Sequence, residues 1–165
     1  MPKISAGIIL YRLNNSDTEV LLVHPGGPFW VKKNMGSWSI PKGEIEPEED
    51  LLEAAIRETK EETGIKSQGK FIALSPLKQK SGKIIHAWAL QGNFDPLDLK
   101  SNSFEMIWSP KSAKNNVSKI KNCFWANTLH YGIGKPGKSV AVMKNLDKAT
   151  ISDGPEGHFL PLRIA

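Results

Sequence analysis

Aliphatic and β-branched residues fill positions 3 to 12, KISAGIILYR, and predict a buried strand. The polar cluster NNSDTE turns the chain into a second strand, EVLLVH, over 19 to 24. Glycine, proline and lysine then dominate PGGPFW and VKKNMGS, a loop that ends at Trp38. WSIP reads as a short strand and GEIEPE as a loop. The period changes from Glu49 to Thr63, where Leu52, Ala55, Ile56 and Thr59 share one face of a helix and Gly64 supplies its stop. KFIALSPLKQK and KIIHAWALQG follow as two strands around Ser81-Gly82, a hairpin signal interrupted by Pro76. After a loop with Pro96, residues 103 to 110 read as another short strand, then come SAKNNVSKIKN and CFWANTLHY. Ser139 caps an expected last helix, VAVMKNLDKA, with Val140, Met143 and Leu146 at helical spacing. Strands on both sides of one strong helix predict an α/β domain with a mixed β-sheet over 1–150, and 151–165 read as an irregular C-terminal tail.

Composition adds constraints. A chain of 165 residues suits one domain with a real core. No apolar run reaches the ~18 residues of a membrane span, and Arg12 ends the first apolar stretch too early for a secretory signal. Cys123 is the only cysteine, which excludes internal disulfides and multi-cysteine zinc sites. A cytoplasmic protein with no membrane partner is expected. The net charge of +5 is unevenly spread. Residues 1 to 65 hold 7 Lys and Arg against 11 Asp and Glu, and residues 66 to 165 hold 15 against 6. An acidic part beside a basic part suits a divalent cation near a polyanionic ligand, and equally a solvated surface with lysine-rich loops.

The stretch RETKEETG, 57 to 64, raises a chemical question. Glu58, Glu61 and Glu62 repel one another at helical spacings and gather at the helix end that prefers cations. With Leu52 at zero on a helical wheel, Glu61, Glu58 and Glu62 fall at about 180°, 240° and 280°, one arc beside the apolar face. Arg57 lies four residues from both Glu53 and Glu61, placed to orient carboxylates. A hard divalent ion such as Mg²⁺ would remove the repulsion. The plain alternative is a solvated acidic helix.

A wider window decides between them. Gly43, five residues, Glu49, seven residues, Arg57-Glu58, two residues, Glu61-Glu62, one residue, Gly64 and Ile65 resemble the Nudix box of the Nudix hydrolase family at every fixed position. Thr59 occupies a usually aliphatic position. The box spans residues 43–65; the resemblance is strong over about 3 to 65, weaker to about 110 and fades beyond, and it implies a Nudix-type α/β/α sandwich with a loop-helix-loop catalytic motif. It also implies a pyrophosphohydrolase that uses Mg²⁺ or Mn²⁺ on a nucleoside diphosphate derivative. Carried over by position, Glu58, Glu61 and Glu62 bind metal, Gly43 offers its carbonyl, and Glu58 and Glu61 are the expected catalytic residues. Glu49 and Arg57 hold loop and helix together. Glu105 is the candidate for a further acidic ligand, against the plain reading of a glutamate exposed on a strand.

Trp38 to Gly43, WSIPKG, is similar to the entrance of dinucleoside polyphosphate hydrolases of the diadenosine tetraphosphate type and of mRNA-decapping relatives. That similarity implies a dinucleoside polyphosphate substrate, with Lys42 reaching a phosphate. The alternatives are a (d)NTP pyrophosphohydrolase for pool sanitation and a non-catalytic nucleotide-sensing domain. Capped RNA is a weaker option, and no DNA binding is expected; the protein would be a monomer or homodimer. In HPGGPFWVKK, Phe29 and Trp30 are candidates to stack a base and Lys32 and Lys33 to meet phosphates. Trp38 reads as cover for the core edge, Trp88 as core, and neither His24 nor His86 is assigned to catalysis. Where relatives tend to carry an acidic residue ahead of an aromatic pair, KIKNCFWAN has lysines. GIGKPGKS, 132 to 139, satisfies a P-loop expression, but it lacks the strand and long helix that a P-loop needs, and it reads as an ordinary loop.

Overall fold

The structure, a computed structural model, describes residues 2–15, 17–29, 37–106 and 115–127, with two short strands at 152–153 and 158–159. Its centre is β1 (Ile4–Asn14), the aliphatic run that the sequence marks as a strand. Along β1, Ala6, Ile8 and Leu10 join one buried cluster while Ile9 and Tyr11 join the other, so both faces of the strand are covered. β2 (Asp17–Pro25) returns antiparallel, from Asn14 opposite Asp17 to Tyr11 opposite Val20. On the other side, β6 (Ile84–Gln91) runs parallel to β1 over eight residue pairs, which makes the sheet mixed.

The first half of β1 takes a different partner. β3 (Lys42–Glu44) pairs antiparallel with it, from Ser5 opposite Glu44 to Gly7 opposite Lys42. This corrects the expected strand over WSIP. There Ser39 makes only an isolated bridge to Val23, and Pro41, which has no N–H to donate, is buried instead. The ladder therefore begins at Lys42 and runs into GEIEPE, the stretch expected to be a loop.

α1 (Leu51–Thr63) lies on the sheet face formed by Ile8, Leu10, Leu21 and Leu90, which it meets through Ala54 and Ala55. Asp50 caps its start, accepting from the N–H groups of Leu52 and Glu53, so the helix begins two residues later than Glu49. Gly64, at φ 81°, closes it in the left-handed conformation. KFIALSPLKQK is two strands, β4 (Phe71–Ala73) and β5 (Leu77–Lys78), because Pro76 interrupts the ladder along β6. The turn at Ser81-Gly82 is present, with Gln79 and Lys83 bonded across it.

After a 3₁₀ turn at Pro96–Asp98, β7 (Ser103–Met106) and β8 (Asn115–Ser118) form a separate ladder. β9 (Ile120–Asn127) then joins the outer edge of β2. The tail expected to be irregular carries a two-residue ladder, β10 (Ser152–Asp153) with β11 (His158–Phe159). The expected helix from Ser139, the GIGKPGKS loop, Trp30, Lys32 and Lys33 lie outside the described residues. Among the described residues, no helix is long and apolar enough to cross a membrane.

Thr59 is fully buried, and its hydroxyl meets no hydrogen-bond partner among the described residues. A buried hydroxyl left unsatisfied costs roughly 1–3 kcal/mol. Thr59→Val keeps the shape and removes the hydroxyl, so it should stabilise the protein by about 1 kcal/mol in urea denaturation. A loss of stability would mean that this hydroxyl is satisfied in solution.

Candidate metal centre

The buried arc of α1 is rotated from the face expected from sequence. Leu52 and Ile56 sit at its margin, whereas Ala54, Ala55, Glu58, Thr59 and Thr63 are buried. Glu58 is thus inside the buried face, not beside it. The cause is β3, which crosses above the helix after pairing with β1. A side chain at Gly43 would collide with the Glu58 carboxylate, so only glycine lets the backbone come this close. One residue earlier, the Lys42 N–H donates to Glu62 Oε2 at 3.0 Å. Two of the three glutamates therefore face the Lys42-Gly43 backbone.

Arg57 organises the group. Its Nε and Nη2 hold both oxygens of Glu49, at 2.7 and 2.9 Å, a bidentate pairing. Nη1 reaches Glu58 Oε1 at 2.7 Å and Glu61 Oε1 at 3.5 Å, and Nη2 also donates to the Glu44 carbonyl at 3.3 Å. Glu49 is fixed from its own loop as well, accepting from the Glu46 N–H at 2.9 Å. The Arg57 bond, helped by that N–H, holds the Glu49 carboxyl down at about 2. The binding of loop to helix expected of Glu49 and Arg57 has this geometry.

A second cation, absent from the sequence expectations for this site, completes it. Lys119 comes from the bend between β8 and β9 and places Nζ 2.9 Å from Glu61 Oε2 and 3.8 Å from Glu58 Oε2. Glu58 and Glu61 thus each offer one oxygen to Arg57 and the other to Lys119. The Lys119 bond holds the Glu61 carboxyl below its ordinary value. Burial works against the charge of Lys119, but the bond to Glu61 and the Glu58 charge outweigh it and raise its pKa. Glu62 differs from both neighbours. Burial pushes its carboxyl up to about 7, against the opposing pull of the Lys42 N–H.

The donors are all hard oxygens, the chemistry that suits Mg²⁺ or Mn²⁺. As placed, no three acidic, histidine or cysteine side chains among the described residues converge as a metal-holding group. Arg57 and Lys119 account for this, since they draw the carboxylates of Glu58 and Glu61 to themselves. The donor set fits a divalent ion once Arg57 and Lys119 release the oxygens they hold.

Phe29 is exposed beyond the end of β2, and its loop is tied to the site where the Gly26 N–H donates to the Lys119 carbonyl at 2.9 Å. Glu105 stands in β7 opposite Asn116, and its side chain is outside the described part. Trp38 covers the core edge as expected, edge-on to His24 and Phe124 with ring centres 4.9 and 4.5 Å away.

Comparison with known proteins follows the same stretch. Residues 1–110 match the family model of the NUDIX domain. The mouse bis(5'-nucleosyl)-tetraphosphatase [asymmetrical] is 36% identical over 69 residues, which are 38% of this chain and 43% of that protein. CTP pyrophosphohydrolase of Escherichia coli is 34% identical over 82 residues, 47% of this chain and 59% of that protein. The chain therefore spans less than two thirds of either relative. The NUDIX domain of Shewanella oneidensis NrtR complexed with ADP ribose is similar at a TM-score of 0.56 and 14% identity, over 87% of this chain and 83% of that one. A NUDIX hydrolase from Nitrosomonas europaea gives 0.55 and 18%, over 88% and 86%. Such identities speak for the fold, an α/β/α sandwich.

Two predictions follow from the electrostatics. Glu62 titrates near 7 when folded and near its ordinary value when unfolded, so its contribution to stability is complete below about pH 4.5 and is lost as pH rises through 7. Without divalent metal, stability should fall by about 3 kcal/mol across that window, and Glu62→Gln should flatten the fall. Urea titrations in chelator at pH 5, 6, 7 and 8 measure it; an unchanged slope in the variant would rule Glu62 out as the source. Arg57→Ala leaves Glu58 with one distant cation and should cost about 2–4 kcal/mol, and Arg57→Lys should recover less than half, because an ammonium cannot span Glu49 and Glu58 together. Thermal melts of the two variants provide the comparison.

Proposed function

The chain belongs to the NUDIX family, and from that premise we propose that it hydrolyses a phosphoanhydride bond of a nucleoside diphosphate derivative, with a dinucleoside polyphosphate as first choice and Mg²⁺ or Mn²⁺ as cofactor. One observation carries the reading: the Glu58 carboxylate lies against Gly43 while Glu62 accepts from the adjoining Lys42 N–H. Glu58, Glu61, Glu62 and the Gly43 carbonyl would hold the divalent ion. When bound, such an ion neutralises phosphate charge and acidifies a water ligand.

The chain's own groups do the rest. Arg57 fixes Glu58 from one side, so this carboxylate keeps its orientation. Glu61 is the more exposed of the two and is held at its tip, so it can turn to a water and accept the proton lost on attack. Lys42 is proposed to meet a substrate phosphate, joined by Lys32 and Lys33 from the loop after β2. Phe29 and Trp30 are proposed to stack the base. The likeness to a bis(5'-nucleosyl)-tetraphosphatase and the WSIPKG stretch support the dinucleotide choice. The E. coli CTP pyrophosphohydrolase keeps nucleoside triphosphates as the second substrate class. A further reading, nucleotide binding without turnover, is favoured by Lys119, which holds two of the carboxylates that hydrolysis would need. A reducing cytoplasm fits the single cysteine.

Incubation with Mg²⁺ and dinucleoside polyphosphates, nucleoside triphosphates or capped RNA, with products resolved, tests these readings. Turnover should be greatest with a dinucleoside polyphosphate, and Glu62→Gln should lower kcat/KM by about 10²–10⁴-fold. Tight binding of a nucleotide with no product would replace the enzyme by the sensor.

A further inference from the structure

Lys119 is far in sequence from the acidic helix, yet the backbone places it there with care. Its N–H donates to the Asn102 carbonyl at 2.8 Å, and Asn102 in turn donates its N–H to the Glu61 carbonyl at 2.8 Å. The Lys119 carbonyl accepts from Gly26 at 2.9 Å, and the next N–H, of Ile120, reaches Ser101 Oγ at 2.9 Å. Main-chain bonds therefore set the position of Lys119 on the helix end, whatever its side chain. The ammonium then takes the outer oxygens of Glu61 and Glu58, those that Arg57 leaves.

We propose that Lys119 is a tethered cation that competes with the divalent ion for Glu61 and Glu58, so that this site takes its metal more weakly than the same carboxylates would alone. The contacts support it. Glu58 and Glu61 together offer four oxygens, two to Arg57 and two to Lys119. Without Lys119 one positive charge beside this pair is lost, and two oxygens are released for coordination. An ammonium offers only a point charge and three donors, so it yields to an ion that can bind several oxygens at once. Lys119 is thus a positioning residue. Its ammonium occupies one oxygen of Glu61 and one of Glu58 until metal arrives.

The inference rests on the proposed metal-binding role of the glutamates, and the test separates the two. Mn²⁺ is titrated into chelator-treated full chain, and free Mn²⁺ is followed by its paramagnetic resonance signal. Wild type is compared with Lys119→Met, which keeps the stem without charge, and Lys119→Arg, which keeps the charge. Lys119→Met should bind Mn²⁺ at least tenfold more tightly, and Lys119→Arg should stay within about threefold of wild type. A Met variant that binds no more tightly than wild type overturns the competition while leaving the metal site intact. An Arg variant as tight as the Met variant also overturns it, because charge would then not be the cause. Absence of Mn²⁺ binding in all three proteins overturns the metal site and this inference together.

Discussion

Three carboxylates on two turns of one helix repel one another, and the protein is arranged around that repulsion. Arg57 is the part on which the remainder depends. One guanidinium holds Glu49 with two bonds, touches Glu58 and Glu61 with a third nitrogen, and reaches the backbone of Glu44. Loop, helix and β3 are thereby joined through a single charged group. A lysine could not do this, because its donors do not lie in one plane with a fixed fork. The fork also explains why a buried Glu58 is tolerated, since its charge is met at 2.7 Å.

The sheet supplies the second constraint. β1 is long enough to pair with β2 over its second half and with β3 over its first. That split brings Gly43 so close to Glu58 of α1 that no side chain fits there. The acidic box and the strand before it are consequently one object. Changing the strand pairing would move the Gly43 backbone away from Glu58.

How much of this could be read from the chain depends on the range of each interaction. Gly43, Glu49, Arg57 and the glutamates lie within 23 positions, and their spacing disclosed both helix and chemistry. β1, β2 and β6 were legible because each is a continuous apolar run. β3 was not, since KGE has no strand character and is made a strand only by the free edge of β1. The buried arc of α1 was misplaced for the same reason. Side-chain hydrophobicity put Leu52 and Ile56 at its centre, but a strand pressing from one side turned Glu58 inward. Pro76 was recognised as an interruption, and its effect was to divide one expected strand into two.

Lys119 shows the limit most clearly. The sequence marks KIKNCFWAN as lysine-rich, but it does not say which lysine points where. Lys119 and Lys121 are alternate residues, and the register of β9 decides between them. β2 and β9 shift register between His24 and Pro25, so that Pro25 faces Ile120 and His24 faces Asn122. The extra residue in that irregularity is Lys121. Lys119 falls just before it, in the bend that Asn102 and Gly26 hold in place. A charge count alone would have treated the two lysines alike. Strand register and two main-chain bonds distinguish them, and they place one of the two ammonium groups within reach of Glu58 and Glu61.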